Sequence, residues 1–300
     1  MLIGDSIKVY PNQRFVNFPR KIAILCHKKT PENMMIYEKL KNKYDVSFLD
    51  TLKVVSGLKN NDFDYDLIIS RVERDYLLEG IYALKYIESI ANENNKNDIK
   101  IINSSECIET CQNKYLTYVK LKELMPKSFL TYTDDFEDIK NTLKNNDFDF
   151  PIVVKPIYGG YGNSVLKINS LDELKNIFEI LKFNKKEVFI QKYIPYKHDI
   201  RVFVIGNKII CAMERIPKDD WRANYSLGAD IKRFDLNEDV EDIVLKSVKK
   251  VNADIVGVDV LIDKNDNPYI LEMNITPQFR GVMNFADIPE EILKYIKNYI

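Results

Sequence analysis

At 300 residues the chain exceeds the usual size of one domain, and a chain of this length buries roughly three quarters of its extended-chain surface, so two or three packed units are expected. Its 44 basic and 45 acidic side chains leave a formal net charge of −1, which provides no global field to select nucleic acid or an anionic membrane. Four cysteines and two histidines supply neither a disulfide scaffold nor zinc ligands at familiar spacing, and they leave little for histidine acid–base chemistry, so catalysis should rest on charge stabilisation.

Met1 to Tyr10 alternates polar and apolar residues without the apolar core of a signal peptide. The longest apolar runs, such as Lys21 to Cys26 and Ile255 to Ile262, fall far short of the ~20 residues a spanning helix needs, so a cytoplasmic enzyme with no membrane partner is expected. Lys21 to Cys26, Val46 to Leu49, Leu67 to Ser70 and Ile99 to Ile102 read as strands, separated by helical patterns over Pro31 to Lys43 and Asp75 to Asn92. That alternation predicts a small parallel sheet with crossover helices over residues 1–110. Cys26-His27-Lys28-Lys29 follows the first strand where a dinucleotide fingerprint would need glycines, so this unit is read as mostly core and surface, without a mechanistic motif, and acceptor specificity is expected in it and in the loops.

A helix is predicted over Thr110 to Glu123, which sets a boundary near residue 110 and opens a second unit over 111–187. Within it, strand Ile152 to Lys155 precedes a glycine-rich loop, and Ser170 with Glu173 forms a capping-box pattern for a helix over Leu171 to Lys182. From residue 188 to 300 the pattern is mostly strand, with hairpins turning at Gly206-Asn207 and around Lys264 to Asn267.

Three groups of residues carry the chemistry. In Lys155-Pro-Ile-Tyr-Gly159-Gly160-Tyr-Gly162-Asn163-Ser164, a strand delivers a lysine and then a loop whose glycines let backbone amides approach phosphate oxygens; the segment is not a Walker A loop. In the second hairpin, strand alternation puts Val256, Val258, Val260 and Ile262 on an apolar face, with Asp259 on the other. A four-residue loop would set Asp259 opposite Glu272, with Asn274 on the same surface, and three hard oxygen donors there suit magnesium. In the first hairpin, Asp199 and Arg201 share a face, and a two-residue turn would oppose Asp199 to Glu214. An arginine beside two carboxylates is on its own an ion-pair network; the alternative is that Arg201, Arg215 and Arg222 contact phosphate and carboxylate, because the planar fork of arginine matches both.

Taken in order, Lys155-Pro156, the glycine loop, Phe189-Ile190-Gln191-Lys192-Tyr193-Ile194, Asp199-Ile-Arg201, Trp221-Arg222-Ala223-Asn224, Gly257-Val-Asp259 and Leu271-Glu272-Met-Asn274-Ile-Thr276-Pro277 resemble the RimK-like branch of the ATP-grasp superfamily. The likeness spans roughly Asn103 to Gly281. It implies an α/β fold with an N-terminal parallel-sheet domain and two subdomains clamping ATP, the central one (111–187) being the lid and the last (188–300) carrying the metals. It implies that Lys114, Lys155 and the loop residues Gly160, Gly162, Asn163 and Ser164 contact phosphates. Gln191 and the backbone of Lys192, Tyr193 and Ile194 would hold adenine, and Asp199, Arg222, Ala223 and Asn224 would border the ribose, phosphates or acceptor. Asp259, Glu272 and Asn274 would bind two magnesium ions, with manganese as the alternative, while Arg201 and Arg222 would act in catalysis.

The activity so implied is ATP-dependent ligation of a small-molecule carboxylate acceptor to an amino acid through an acyl phosphate. Relatives in this branch add glutamate to ribosomal protein tails, a deazaflavin coenzyme or tetrahydromethanopterin, so glutamate is the expected amine; a homo-oligomer fits this picture, and nucleic acid is not an expected partner. Lys192 stands where an acid often follows the glutamine, Gly160 and Ser164 are exchanged in character, and Arg280 replaces a frequent acid. The last change favours an anionic acceptor or an acidic incoming amino acid. Two rivals share the nucleotide residues: a kinase, which would form ADP with a hydroxyl acceptor alone, and a non-catalytic regulator, which would bind ATP without turnover.

Overall fold

The computed structural model describes residues 19–55, 63–93, 99–159, 164–183, 187–217 and 230–300. The first part runs β1 (Lys21–Leu25), α1 (Pro31–Leu40), β2 (Asp45–Leu49), α2 (Thr51–Val55), β3 (Leu67–Ser70), α3 (Leu77–Glu93) and β4 (Lys100–Ile102). Its strands pair in parallel in the order β2-β1-β3-β4, as the alternation of strand and helix predicts. The chain leaves β1 toward β2 on one side and reaches β3 on the other, so a crevice opens beyond the carboxyl ends of β1 and β3. Thr30 caps α1 by accepting the Asn33 amide, and Pro31 occupies the first turn, where its missing N–H costs nothing.

The helix expected over Thr110 to Glu123 is instead two helices, α4 (Ser105–Gln112) and α5 (Lys114–Leu121). Asn113 breaks them: its backbone is extended (φ −98°, ψ 111°) and its side chain accepts the amides of Tyr115 and Leu116, capping α5. There follow β5 (Ser128–Thr131), α6 (Phe136–Asn145), β6 (Ile152–Lys155), β7 (Leu166–Ile168), α7 (Leu171–Phe183) and β8 (Val188–Lys192), forming an antiparallel sheet in the order β5-β8-β6-β7. Helices α6 and α7 close it with Ile139, Leu143, Leu174 and Phe178 packed on Ile152, Val154 and Ile190. Ser170 accepts the Glu173 amide as the capping pattern predicts, while the Glu173 carboxylate reaches back to the amide of Asn169.

The last part comprises β9 (Tyr196–Ile205), β10 (Lys208–Ile216), β11 (Asp230–Arg233), α8 (Glu238–Val251), β12 (Ile255–Asp263), β13 (Pro268–Asn274) and α9 (Ile288–Ile296). The five strands are antiparallel in the order β11-β10-β9-β12-β13. One face buries Ile200, Val202 and Val204 with Val256, Val258 and Val260 against Val240, Val244 and Val248 of α8. Toward the turn, the opposite face carries Phe203 and Ile205 into a second core with Ile22 and Ile24 of β1 and with α9. Asn103, after β4, fastens the first sheet to the last: its amide donates to the carbonyls of Ile255 and Ile275, and its oxygen accepts the amides of Asp254 and Ile255. Among the described residues, no helix is long and apolar enough to cross a membrane.

Candidate active site

Alternation along β12 sends Val256, Val258, Val260 and Ile262 into the core and leaves Asp259 on the other face, where Glu272 opposes it on β13. The register is reached differently from the expectation of a four-residue loop. Ile262 pairs with Pro268, so the loop has one more residue, and the Asp263 amide closes it on the Asn267 carbonyl. An extra residue at Leu271 then shifts the register between the Val260–Ile270 and Asp259–Glu272 pairs. Without that bulge Glu272 would follow Ile270 onto the apolar face; with it, Glu272 and Asn274 turn toward Asp259, while Met273 stays in the core.

A bulge also corrects the first hairpin. The turn at Gly206-Asn207 pairs Ile205 with Lys208, but Ile210 is an extra residue on β10, so Glu214 pairs with Ile200 and not with Asp199. Glu214 therefore lies off the site face, bonded to His198 Nδ1 at 2.6 Å and paired with Lys232 at 2.8 Å. Arg215 takes the place expected for Glu214 and donates to Asp199 from Nε at 2.8 Å and also from Nη2. It reaches Asp259 Oδ2 from Nη1 at 3.1 Å, while Arg201 grips Asp259 through Nε and Nη2 at 2.7 and 2.8 Å. Burial alone would raise the Asp259 carboxyl, but the two guanidiniums outweigh it and hold the group below the usual carboxylate range. Asp199 is pushed up to about 6, chiefly by burial, against the pull of Arg215.

Two lysines face this network. Lys155, at the end of β6, is buried, and its ammonium donates to Gln191 Oε1 at 2.6 Å; Gln191 Nε2 in turn donates to Ser128 Oγ at 3.0 Å. Burial first, and then the Lys114 charge, pull Lys155 down to about 8, with Glu272, Asp259 and Asp199 opposing. Lys114 opens α5 because Asn113 ends α4; its ammonium donates to the Gly159 carbonyl at 3.0 Å and lies 3.8 Å from Glu272. The expected residues Lys114, Lys155, Asp199, Arg201, Asp259 and Glu272 thus form one charged constellation. Gln191 has both ends of its amide engaged within the protein, where it holds Lys155 in place.

Lys192 ends β8 with its amide bonded to the Lys127 carbonyl, and the part-buried Tyr193 and Ile194 lead from it into β9. Ser164 is exposed with φ of 60°. Gly160, Gly162 and Asn163, and Arg222, Ala223 and Asn224, lie outside the described residues.

A cavity of about 630 Å³ opens over the constellation, lined by Arg201, Arg215, Glu272 and Asn274. Its wall also takes Glu32 and Arg74 from the first part of the chain, and Arg280 donates to Glu32 at 2.9 Å. Strand-end and helix-start residues of the parallel sheet, which no motif in residues 1–110 singles out, thus line the same cavity. Their signal was positional, since ligands gather at the carboxyl ends of parallel strands where the connections diverge.

The donor set fits a hard cation. Among the described residues the ion pair of Glu272 is the 3.8 Å approach to Lys114, and the buried amide nitrogen of Asn274 is without a hydrogen-bond partner. Asp259 already accepts three arginine hydrogen bonds of the about four its oxygens can take, so it has one site left for a metal. Among the described residues no three His, Cys, Asp or Glu side chains form a closed metal cluster. Magnesium binds through one or two carboxylates, phosphate oxygens and water, and does not require such a cluster.

Comparison with known proteins agrees with this geometry. Residues 112–296 match the RimK-like ATP-grasp domain. The chain is 31% identical over 245 residues to the glutamate–LysW ligase ArgX of Sulfolobus acidocaldarius, covering 78% of this chain and 82% of the relative. It is 30% identical over 216 residues to the tetrahydromethanopterin:alpha-L-glutamate ligase of Methanocaldococcus jannaschii, covering 67% and 72%. Among solved structures it is similar to the ATP-grasp ligase PsnB in complex with a minimal precursor (TM-score 0.71, 17% identity, 94% of this chain and 100% of the other). It is also similar to D-alanine–D-alanine ligase from Bacillus anthracis (TM-score 0.62, 18% identity, 92% of each chain).

Proposed function

From the premise that this chain belongs to the RimK-like ATP-grasp family, we propose that it joins the amino group of L-glutamate to a carboxylate carried by a coenzyme or a protein. The chain is an ATP- and magnesium-dependent ligase with the ATP-grasp fold. The relatives whose names specify a ligase of glutamate with LysW, tetrahydromethanopterin or a coenzyme support the finer reading, and none of those reported supports the kinase or the regulator. In this reading 1–110 is the N-terminal domain, 111–187 the lid and 188–300 the metal-bearing subdomain.

The observation that carries the reading is the opposition of Asp259 and Glu272 beside Asn274, with Lys114 3.8 Å from Glu272 and with Glu272 and Asn274 lining a cavity walled by arginines. Glu272, Asn274 and the remaining site of Asp259 would hold two magnesium ions, or manganese; when bound, the metal neutralises charge on the β- and γ-phosphates. Lys114 and Lys155 supply fixed positive charge to the phosphates, and their burial strengthens it. Arg201 is held by Asp259 in a fork that keeps it pointing along the site face, where an acceptor carboxylate needs a cation to align it for in-line attack on the γ-phosphorus. That attack forms an acyl phosphate and releases ADP; a neutral amine then attacks the acyl carbon, loses a proton, and expels phosphate.

The test is ADP release from a panel of carboxylates with magnesium and L-glutamate, with hydroxylamine added to trap an acyl phosphate. Amine-dependent ADP release and a hydroxamate, both lost in Glu272→Ala, are expected. ADP formed without any carboxylate, or turnover indifferent to Glu272→Ala, would refute the proposal.

A further inference from the structure

Beyond the carboxyl ends of β1 and β3 lies a second cavity of about 240 Å³, separate from the larger one but sharing Glu32, Arg74, Asn274 and Thr276 with it. Its floor holds Arg71, only 3% exposed. Buried charges are normally paired, because an unpaired one is costly. Arg71 Nε donates to Asn33 Oδ1 at 2.9 Å, and its two terminal nitrogens make long contacts, 3.4 and 3.3 Å, with the single carbonyl of Pro277. Both acceptors of these three contacts are neutral oxygens, although a guanidinium has five N–H donors.

The carboxylates around it have other partners. Glu32 takes Arg280, Glu73 accepts the amides of His27 and Lys28, and Asp75 takes Lys28. Glu32 and Glu73 offset part of the cost of burial from a distance, yet burial dominates and draws Arg71 down to about 10. A cation that lines a cavity and has no contacting anion among the described residues is a place where an anionic ligand gains a charge-assisted hydrogen-bonded pair.

Resting on the ligase reading, we propose that this crevice is the site of the incoming amine substrate, an acidic amino acid whose carboxylate pairs with Arg71 while its amino group faces Asn274 and Thr276. The volume suits one amino acid, whereas the larger cavity has room for the end of a bulkier acceptor. Asn274 lines both, so a nucleophile held here enters from the side of the metal-binding face.

The experiment titrates L-glutamate calorimetrically into the full chain saturated with magnesium and a non-hydrolysable ATP analogue. Arg71→Gln should raise the Kd for L-glutamate by about 10- to 150-fold, the worth of one hydrogen-bonded charge, while the analogue binds within about twofold of the parent. Arg71→Lys should recover part of the loss. Comparing L-glutamine with the α-amide of glutamate identifies the paired carboxylate, since the amide at that position should bind the parent as weakly as glutamate binds Arg71→Gln. N-acetyl-L-glutamate, which keeps both carboxylates but no nucleophilic amine, should compete poorly; competition as strong as that of glutamate would give the crevice to the acceptor and overturn the proposal. An unchanged Kd in Arg71→Gln, no glutamate binding by the parent, or loss of the nucleotide analogue along with glutamate, which makes Arg71 structural, would overturn it as well. Failure of the parent to bind the analogue would instead remove the ligase reading.

Discussion

Gln191→Leu should make nucleotide affinity sensitive to pH in a range where the parent is not. Burial draws Lys155 down to about 8 in the parent, and the 2.6 Å hydrogen bond it donates to Gln191 Oε1 favours the charged form. A hydrogen bond to a charged group is worth about 1.5–3 kcal/mol, so the leucine variant should draw Lys155 further down, below the neutral range in which the parent is charged. The sign follows from the charge: below its pKa the lysine is cationic and ready for phosphate, and above it binding must first take up a proton, losing up to about tenfold in affinity per pH unit. At pH 7.5 the parent remains mostly charged while the variant is mostly neutral, which gives about a tenfold weaker Kd; at pH 5.5 the two should nearly agree. The measurement is Kd for the magnesium complex of a fluorescent ATP analogue from pH 5.5 to 9, taken as the ratio of variant to parent so that titration of the nucleotide cancels. A ratio that is constant across the range would refute the reasoning, because it would mean that Gln191 acts on shape and not on the charge of Lys155.

Arg215→Met should destabilise the fold by about 3–5 kcal/mol at pH 8 in urea unfolding, since it leaves Asp199 buried without its hydrogen-bonded partner. The folded carboxyl would then lie further above its unfolded value, so the folded state holds the extra proton and the deficit should shrink as pH falls toward 5; a deficit independent of pH would count against this. Asn103→Leu strands two amides and two carbonyls around β12 and β13, and should cost at least about 3 kcal/mol by the same measurement; a loss under about 1 kcal/mol would show that water replaces the amide.

The face that carries Asp259 was legible because strand parity is strict: with Val256, Val258 and Val260 committed to the core, Asp259 had to leave it. The parallel first sheet and its crossovers followed from apolar strands alternating with helical patterns. Parity fails where a residue is inserted, and nothing in Lys208-Ile-Ile-Cys211 announces the bulge that exchanges Glu214 for Arg215. That exchange matters, because a third carboxylate beside Asp199 and Asp259 would have repelled both. Lys114 could have been placed from Asn113, a residue suited to capping, but the apolar pattern runs across the break between α4 and α5. Arg71, Arg74 and Glu32 carry no motif, and only the order of the strands brings them to the site.

The two bulges have a bearing on how such a hairpin can change over time. In each, an odd residue between the turn and the functional side chains flips the phase of the strand, so turn length and site geometry are set by separate stretches of chain. The loop after β12 can therefore be lengthened or shortened in lineages or in the laboratory, provided the strand beyond it gains or drops a compensating residue. The hairpin works as a vernier: coarse length is chosen at the tip, and the fine setting that points Glu272 and Asn274 is made at Leu271.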